Sequence, residues 1–430
     1  MRLASTVADR HGFQGGPRSG WLEAVLAVAI AALFFLFPMS KTLVNIALGA
    51  VIVLCVATIR PRAAWESVCA TPVLWFPLAL YALILLHAPA SPADTEQVLL
   101  HLRKYARFLY MVLVFLLLVH HARRQQIALH AFSAAMVVTV ILAWVEQVAP
   151  QALRYLDASD TAVFGDHITQ NVMLALFSVV AFGNCRQAGA APARWFWGTI
   201  TALTVVSITH LSTGRTGQVC LFVVWASYLV FEARGRRLAW GMSALLLAAV
   251  LAYVSSDTLR ARFEQAVAEA ANARSDPKSS VGHRIHNYTI TPRLVAEKPL
   301  LGHGTAAYHT QICRFVDPPQ WCPVFNWHPH NQFLFLAADH GLVGAGLYLA
   351  WVVGLYMVAW RSRASARNRV LLFCLASLCL VDSLINSPLF SSRESQFFAY
   401  MSALLVSMNV GRASDGETPA PASTGSPVPT

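Results

Sequence analysis

The stretch N-W-H-P-H-N-Q-F-L, residues 326–334, puts His328, His330 and Asn331 directly ahead of an apolar run. A neutral imidazole there could take a hydroxyl proton, a role that typically contributes about 10²–10⁴-fold to a rate. Two other chemistries suit the pair. One is a zinc site that recruits His283, His286, His303 or His309, although no carboxylate or cysteine sits at ligand spacing beside it. The other is a hydrogen-bonded pair of histidines at an interface. Pro329 between them favours extended backbone, with a helix beginning near Asn331.

A second set of residues is cationic. Arg215, in H-L-S-T-G-R-T-G, stands at the end of an apolar run, where helix-terminal amides and a guanidinium fork suit a phosphate. Arg284, in V-G-H-R-I-H-N-Y, is a second candidate, with Arg293 its neighbour. H-L-R-K-Y-A-R adds Arg103, Lys104 and Arg107; Arg103 and Arg107 are four apart and share a helical face. The ordinary alternatives are arginines snorkelling into headgroups, solvated loop charges and anionic-lipid contacts. Gathered from three segments, these cations would suit a diphosphate in a lipid headgroup. F-G-D-H-I-T-Q-N, with Asp166, His167 and Asn171, is a lesser polar cluster that would shape a pocket.

The chain has no phosphate-cradling G-x-x-x-x-G-K-[ST], no strand-bound G-x-G-x-x-G, no H-E-x-x-H and no paired D-x-D. Whatever reacts therefore arrives already activated, or is only transported. No nucleic-acid partner is implied.

The elements that must position these residues are apolar. Of 430 residues, 56% are hydrophobic and 12% charged, about half the roughly 25% usual for globular domains. Twelve apolar stretches, at 21–38, 42–58, 73–89, 106–120, 127–148, 170–184, 196–211, 215–232, 238–254, 341–360, 368–385 and 395–410, predict an all-α polytopic membrane protein with about twelve transmembrane helices. With the N-terminus inside, short inner segments carry 17 arginines against 7 cations in short outer ones, which puts both termini in the cytoplasm. The first span lacks an A-x-A site and is followed at once by a second, so it is not expected to be a cleaved signal peptide.

The organisation expected is a membrane bundle over 1–254 holding spans one to nine, an outer loop domain over 255–332, membrane helices over 333–410, and a disordered cytoplasmic tail over 411–430. The loop opens with an amphipathic helix that shows Leu259, Phe263 and Val267 on one face, capped by Ser256 or Asp257. Pro299–Gly304 should turn the chain back to the membrane. Cys313 and Cys322 bracket R-F-V-D-P-P-Q-W, which suggests a disulfide in an oxidising compartment; the other six cysteines lie in or beside apolar runs.

These residues resemble the O-antigen ligase family, within the superfamily that also holds O-antigen polymerases and pilin-type protein glycosyltransferases. The resemblance rests on about twelve spans, an S-x-x-R-like motif in S-T-G-R-T-G, and a long loop before the late spans. That loop carries arginine, then P-L-L-G-x-G, and ends in H-N-Q-F-L with G-L-V-G-A-G behind it. The resemblance implies His330 as catalytic histidine and Arg215 and Arg284 as holders of undecaprenyl diphosphate. It implies no metal and no cofactor, and a site facing the periplasm of the bacterial inner membrane. The reaction implied moves a preassembled glycan to the lipid A–core oligosaccharide, with inversion. Here His328 precedes the motif histidine as H-P-H, so the two could exchange roles.

Three other readings stay open: an O-antigen polymerase, a protein O-glycosyltransferase, and a transporter of the lipid-linked glycan. A transporter should show ionisable residues at mid-membrane and an internal repeat; only Asp382 and Glu146 come near, at span ends, and no repeat is evident.

Overall fold

The computed structural model describes residues 17–149 and 162–411. Residues 412–430, expected to form a disordered tail, lie outside the described residues, as do Arg2, Arg10 and Arg412 of the charge count. Among the described residues the chain is helical and has no strand.

The first seven helices are α1 (Pro17–Leu36), α2 (Lys41–Thr58), α3 (Pro61–Cys69), α4 (Trp75–His87), α5 (Thr95–Tyr105), α6 (Arg107–Leu118) and α7 (Ala122–Val148). Next come α8 (His167–Gln187), α9 (Ala191–Val206), α10 (Arg215–Glu232) and α11 (Gly235–Ser255). The long connection holds α12 (Asp257–Ala271), α13 (Ser280–Glu297) and the one-turn helices α14 (Tyr308–Gln311) and α15 (Cys322–Phe325). The chain ends in α16 (Gln332–Arg361), α17 (Ala366–Ile385) and α18 (Ser392–Val410).

All twelve apolar stretches fall on helices. Six described helices, α2, α7, α8, α11, α16 and α17, are long and apolar enough to cross a bilayer, and α3 with α4, bent by 97°, would make a seventh. A count of twelve crossings would also need α1, α6, α9, α10 and α18, which are shorter or more polar. The 12 residues of α6 rise only about 18 Å.

Helices α8, α17 and α18 form the centre; every residue of α18 from Glu394 to Asn409 is buried. Around them α10 packs on α8 and α17, α16 on α17 and α4, and α6 on α18. By contrast α11, which packs against α10 and α12, buries no residue.

Three local devices set the site. At the start of α8, Asp166 accepts the Thr169 N–H at 2.8 Å, and one turn on Asn171 Nδ2 donates to Ser212 Oγ at 2.5 Å. A Cβ at Gly214 or Gly217 would run into Asn171, so the start of α10 lies flat on α8. Ser256 is the cap of α12, accepting from Leu259 N at 3.1 Å while its hydroxyl donates to Thr209 O at 2.9 Å. Ser279 caps α13 through Gly282 N at 3.2 Å.

The tenth apolar stretch does not begin at Gly341 as a fresh helix. α16 starts nine residues earlier, at Gln332, and breaks at Gly341, where φ is +66°. The Pro299–Gly304 turn fits into that break. Leu342 N donates to Pro299 O at 2.7 Å and Val343 N to Leu300 O at 3.3 Å. In return His303 N donates to Ala338 O at 3.1 Å and Gly304 N to Asp339 O at 2.8 Å. Backbone groups that the break releases are thus satisfied by the turn. Cys313 and Cys322 are paired as a disulfide with 5.1 Å between Cα atoms, closing the turn that precedes α15.

Candidate functional site

A cavity of about 730 Å³ opens where the starts of α8 and α10 meet α12, α13 and the turn before α16. Its lining includes Arg215, Arg284 and His330, together with His167, Arg262, Gln265, Glu269, Asn272, Asp276 and Ser280. Each of the first three carries a buried nitrogen that has no hydrogen-bond partner: Arg215 Nη1, Arg284 Nε and His330 Nδ1. Buried polar atoms are normally satisfied, so three unsatisfied ones on residues that line one cavity make it the candidate site for a polar ligand.

Arg215 is the first residue of α10. Its Nη2 is held at 3.1 Å by Glu269 Oε2, in an ion pair with both side chains mostly covered (20% and 12% exposed). Arg284 sits one turn into α13, with Nη1 3.3 Å from Ser280 Oγ. Burial and the neighbouring Arg215 both pull its pKa down, and Glu269, Tyr288 and Asp382 partly offset this. A guanidinium stays charged under such pressure, so two adjacent cations are held in a confined space.

His330 is held in an unusual backbone state. Its φ is +53°, in the left-handed region, whereas extended geometry was expected. Such a conformation costs a non-glycine residue about 1–3 kcal/mol and persists only where its surroundings enforce it. The enforcing contacts are visible. His330 N donates to His328 Nδ1 at 3.2 Å, and the Tyr288 hydroxyl reaches both the His330 carbonyl at 2.9 Å and the Leu384 carbonyl at 2.6 Å. Asn287 Nδ2 donates to His328 O at 3.3 Å. Asn331 caps α16 by accepting Leu334 N at 3.0 Å, and its amide donates to Leu384 O at 3.2 Å.

The two histidines of H-P-H therefore differ in kind. His328 has its Nδ1 lone pair engaged by a backbone amide and is not among the cavity residues. Burial, then His283, Lys104 and Arg284, lower its pKa to about 3. His330 lines the cavity, and its buried Nδ1 has no partner. Burial above all, then His328, Arg284 and His283, push its pKa far below the ordinary 6.5, so the ring is neutral.

The remaining predicted cations are elsewhere. Arg103 and Arg107 fall on separate helices, α5 and α6, divided at Ala106. Arg103 is exposed with Nε 3.4 Å from Leu99 O, while Arg107 is drawn inward and donates to Ser395 Oγ at 2.5 Å. Lys104 lies over the Phe390 ring at 3.2 Å, and burial with Arg107 and Lys41 nearby lowers its pKa to about 7. Arg293 is exposed on α13 and does not line the cavity. Among the described residues no group of three or more His, Cys, Asp or Glu side chains is placed to hold a metal ion.

Sequence reasoning missed Arg262, Gln265 and Glu269. They share one face of α12 with Asn272, at the spacing of an amphipathic helix, opposite Phe263 and Val267. Alternation of that kind was visible, but the polar face passes for a solvated one until α13 is folded against it. His167, from the cluster expected to shape a pocket, does line the cavity.

Fold and site together define a multi-pass helical membrane protein with a cation-lined cavity at the base of a helical loop region. Residues 199–349 match the family model described as O-antigen ligase, and the matched segment contains Arg215, Glu269, Arg284 and His330. Over that segment the chain is similar to the O-antigen ligase family. No curated protein matches the chain.

Proposed function

We propose that the protein is an O-antigen ligase, transferring a preassembled glycan from undecaprenyl diphosphate to the lipid A–core oligosaccharide at the periplasmic face of the inner membrane. The observation that carries this reading is that Arg215, Arg284 and His330 line one cavity and each carries a buried nitrogen without a partner. The family match supports the reaction class.

In this mechanism the diphosphate of the donor lies against Arg215 and Arg284. An acceptor hydroxyl attacks the anomeric carbon from the side opposite the diphosphate, and the new glycosidic C–O bond forms as the C–O bond to phosphorus breaks. The electron pair leaves on the diphosphate, whose growing negative charge the two guanidinium groups stabilise. The hydroxyl proton passes to the His330 imidazole and from there to water. One displacement inverts the anomeric centre.

The depressed basicity of His330 in the empty cavity fits this order of events. Arg284 is one of the groups holding its pKa down. A bound diphosphate offsets that guanidinium and raises the basicity of the imidazole from its depressed value, while burial keeps the ring neutral and its lone pair available. His328 and Tyr288 hold the backbone that aims it.

The test is reconstitution of the purified protein in proteoliposomes with a lipid-linked glycan donor and lipid A–core as sole acceptor. Glycan should appear on lipid A–core, and His330→Ala should abolish this while leaving the protein folded. Product found only on a second polyprenyl-linked glycan would identify a polymerase instead, and full transfer by His330→Ala would overturn the catalytic assignment.

A further inference from the structure

Glu269 presents a problem for a site built to hold a diphosphate. It puts a carboxylate inside the cavity, in contact with one of the two guanidinium groups that are meant to bind the anion. Burying a negative charge beside an anion site weakens the site, unless the carboxylate has work of its own there.

Its contacts show what that work is. Glu269 Oε2 accepts from Arg215 Nη2 at 3.1 Å and from the Val281 backbone N–H at 3.0 Å; Oε1 accepts from Gln265 Nε2 at 2.7 Å. Val281 lies in the first turn of α13, the helix that carries Arg284. One oxygen thus joins the start of α10 to the start of α13, and the two arginines hang from the two joined ends. The ion pair uses Nη2 only; Arg215 Nη1 remains unpartnered. The guanidinium is held in aim and only half engaged.

From this geometry, and resting on the donor reading given above, we infer that Glu269 is a positioning residue that occupies the diphosphate's place at Arg215 while the cavity is empty and reclaims the guanidinium when the carrier leaves. On donor binding Arg215 turns from Glu269 to the phosphate oxygens. The carboxylate keeps Val281 N–H and Gln265, so α12 and α13 stay joined. After transfer the carrier diphosphate has lost its sugar ester and bears an additional ionisable oxygen. A fixed negative charge at Glu269 repels that product more strongly than it repels the donor. The lining as a whole is balanced in the same sense, with Arg215, Arg262 and Arg284 facing Glu269 and Asp276.

Farnesyl diphosphate, a soluble diphosphate on a short isoprenoid, is the probe, titrated against the full-length protein in nanodiscs. Glu269→Gln keeps the length and an oxygen for Val281 N–H but removes the charge. Glu269→Asp keeps the charge but shortens the reach. Glu269→Gln should bind the probe roughly three- to tenfold more tightly than wild type. In the transfer reaction it should lower KM for donor and lower kcat together, with product inhibition setting in at lower carrier concentration. Glu269→Asp should stay close to wild type in all three.

The opposite ranking, with Gln like wild type and Asp impaired, would reduce Glu269 to a structural strut and overturn the inference. Probe binding by wild type that is lost in Arg215→Ala, but is equal or weaker in Glu269→Gln, would sink the Glu269 assignment alone. Failure of wild type to bind the probe at all would remove the donor reading and this inference with it.

Discussion

Helix α16 contains one left-handed residue at Gly341 and is preceded by another at His330, and the chain treats the two in opposite ways. At Gly341 the residue type relieves the conformation, since glycine tolerates positive φ. Backbone groups released there find partners in the Pro299–Gly304 turn. At His330 the residue type aggravates the conformation. The neighbours His328, Tyr288 and Asn331 hold the backbone, and the ring, which lines a cavity of about 730 Å³, is left with a buried unpartnered nitrogen. Similar φ angles thus go with satisfied packing in one place and with an unpartnered ring nitrogen at the cavity in the other. What separates them is whether the polar groups nearby are satisfied.

Breaking each residue should therefore give mirror-image outcomes. His330→Gly suits the backbone but removes the base. Transfer should fall by about 10²–10⁴-fold, while thermal unfolding stays within about 1 kcal/mol of wild type. Gly341→Ala should do the reverse. Its Cβ would collide with the Leu300 carbonyl and impose positive φ on alanine, so unfolding should cost about 2–5 kcal/mol less. The fraction that remains folded should retain its turnover. A folded but inactive Gly341→Ala protein would erase the contrast.

Smaller effects sharpen the same distinction. Arg284→Lys retains charge and loses the fork, so activity should drop by about tenfold or more. Arg293→Ala, on the same helix but off the cavity, should stay within about twofold, as for other exposed charges. Asn331→Ala removes the cap of α16 and should lower stability by about 1 kcal/mol.

The smallest effect is on pH dependence. A histidine whose pKa lies below its ordinary value keeps its lone pair as pH falls through 6.5. The acid limb of kcat/KM should therefore lie well below pH 6.5, and a limb centred at or above it would show that the base is a solvated histidine.

Much of this was legible from residues alone. Apolar stretches specify helices strongly, and all twelve are helical, although their lengths alone qualify only six or seven as crossings. Arg215, Arg284 and His330 could be nominated because their types suit a diphosphate and a proton, and because their motifs resemble a family. Ranking them against Arg103, Arg107 and Arg293 was beyond the sequence, since the ranking depends on the chain break at Ala106 and on which face of α13 turns inward. Glu269 was illegible for a different reason. A carboxylate on the polar face of an amphipathic helix looks solvated until a second helix covers it.

Helix α12 carries a last consequence. Phe263 and Val267, each 55% exposed, lie on the face opposite Glu269. One unbroken helix thus presents an exposed apolar side on one face and holds the Arg215 ion pair on the other. Whatever meets that apolar side bears on the same rod as the ion pair, and anything that tilts the rod moves the Glu269 carboxylate with it.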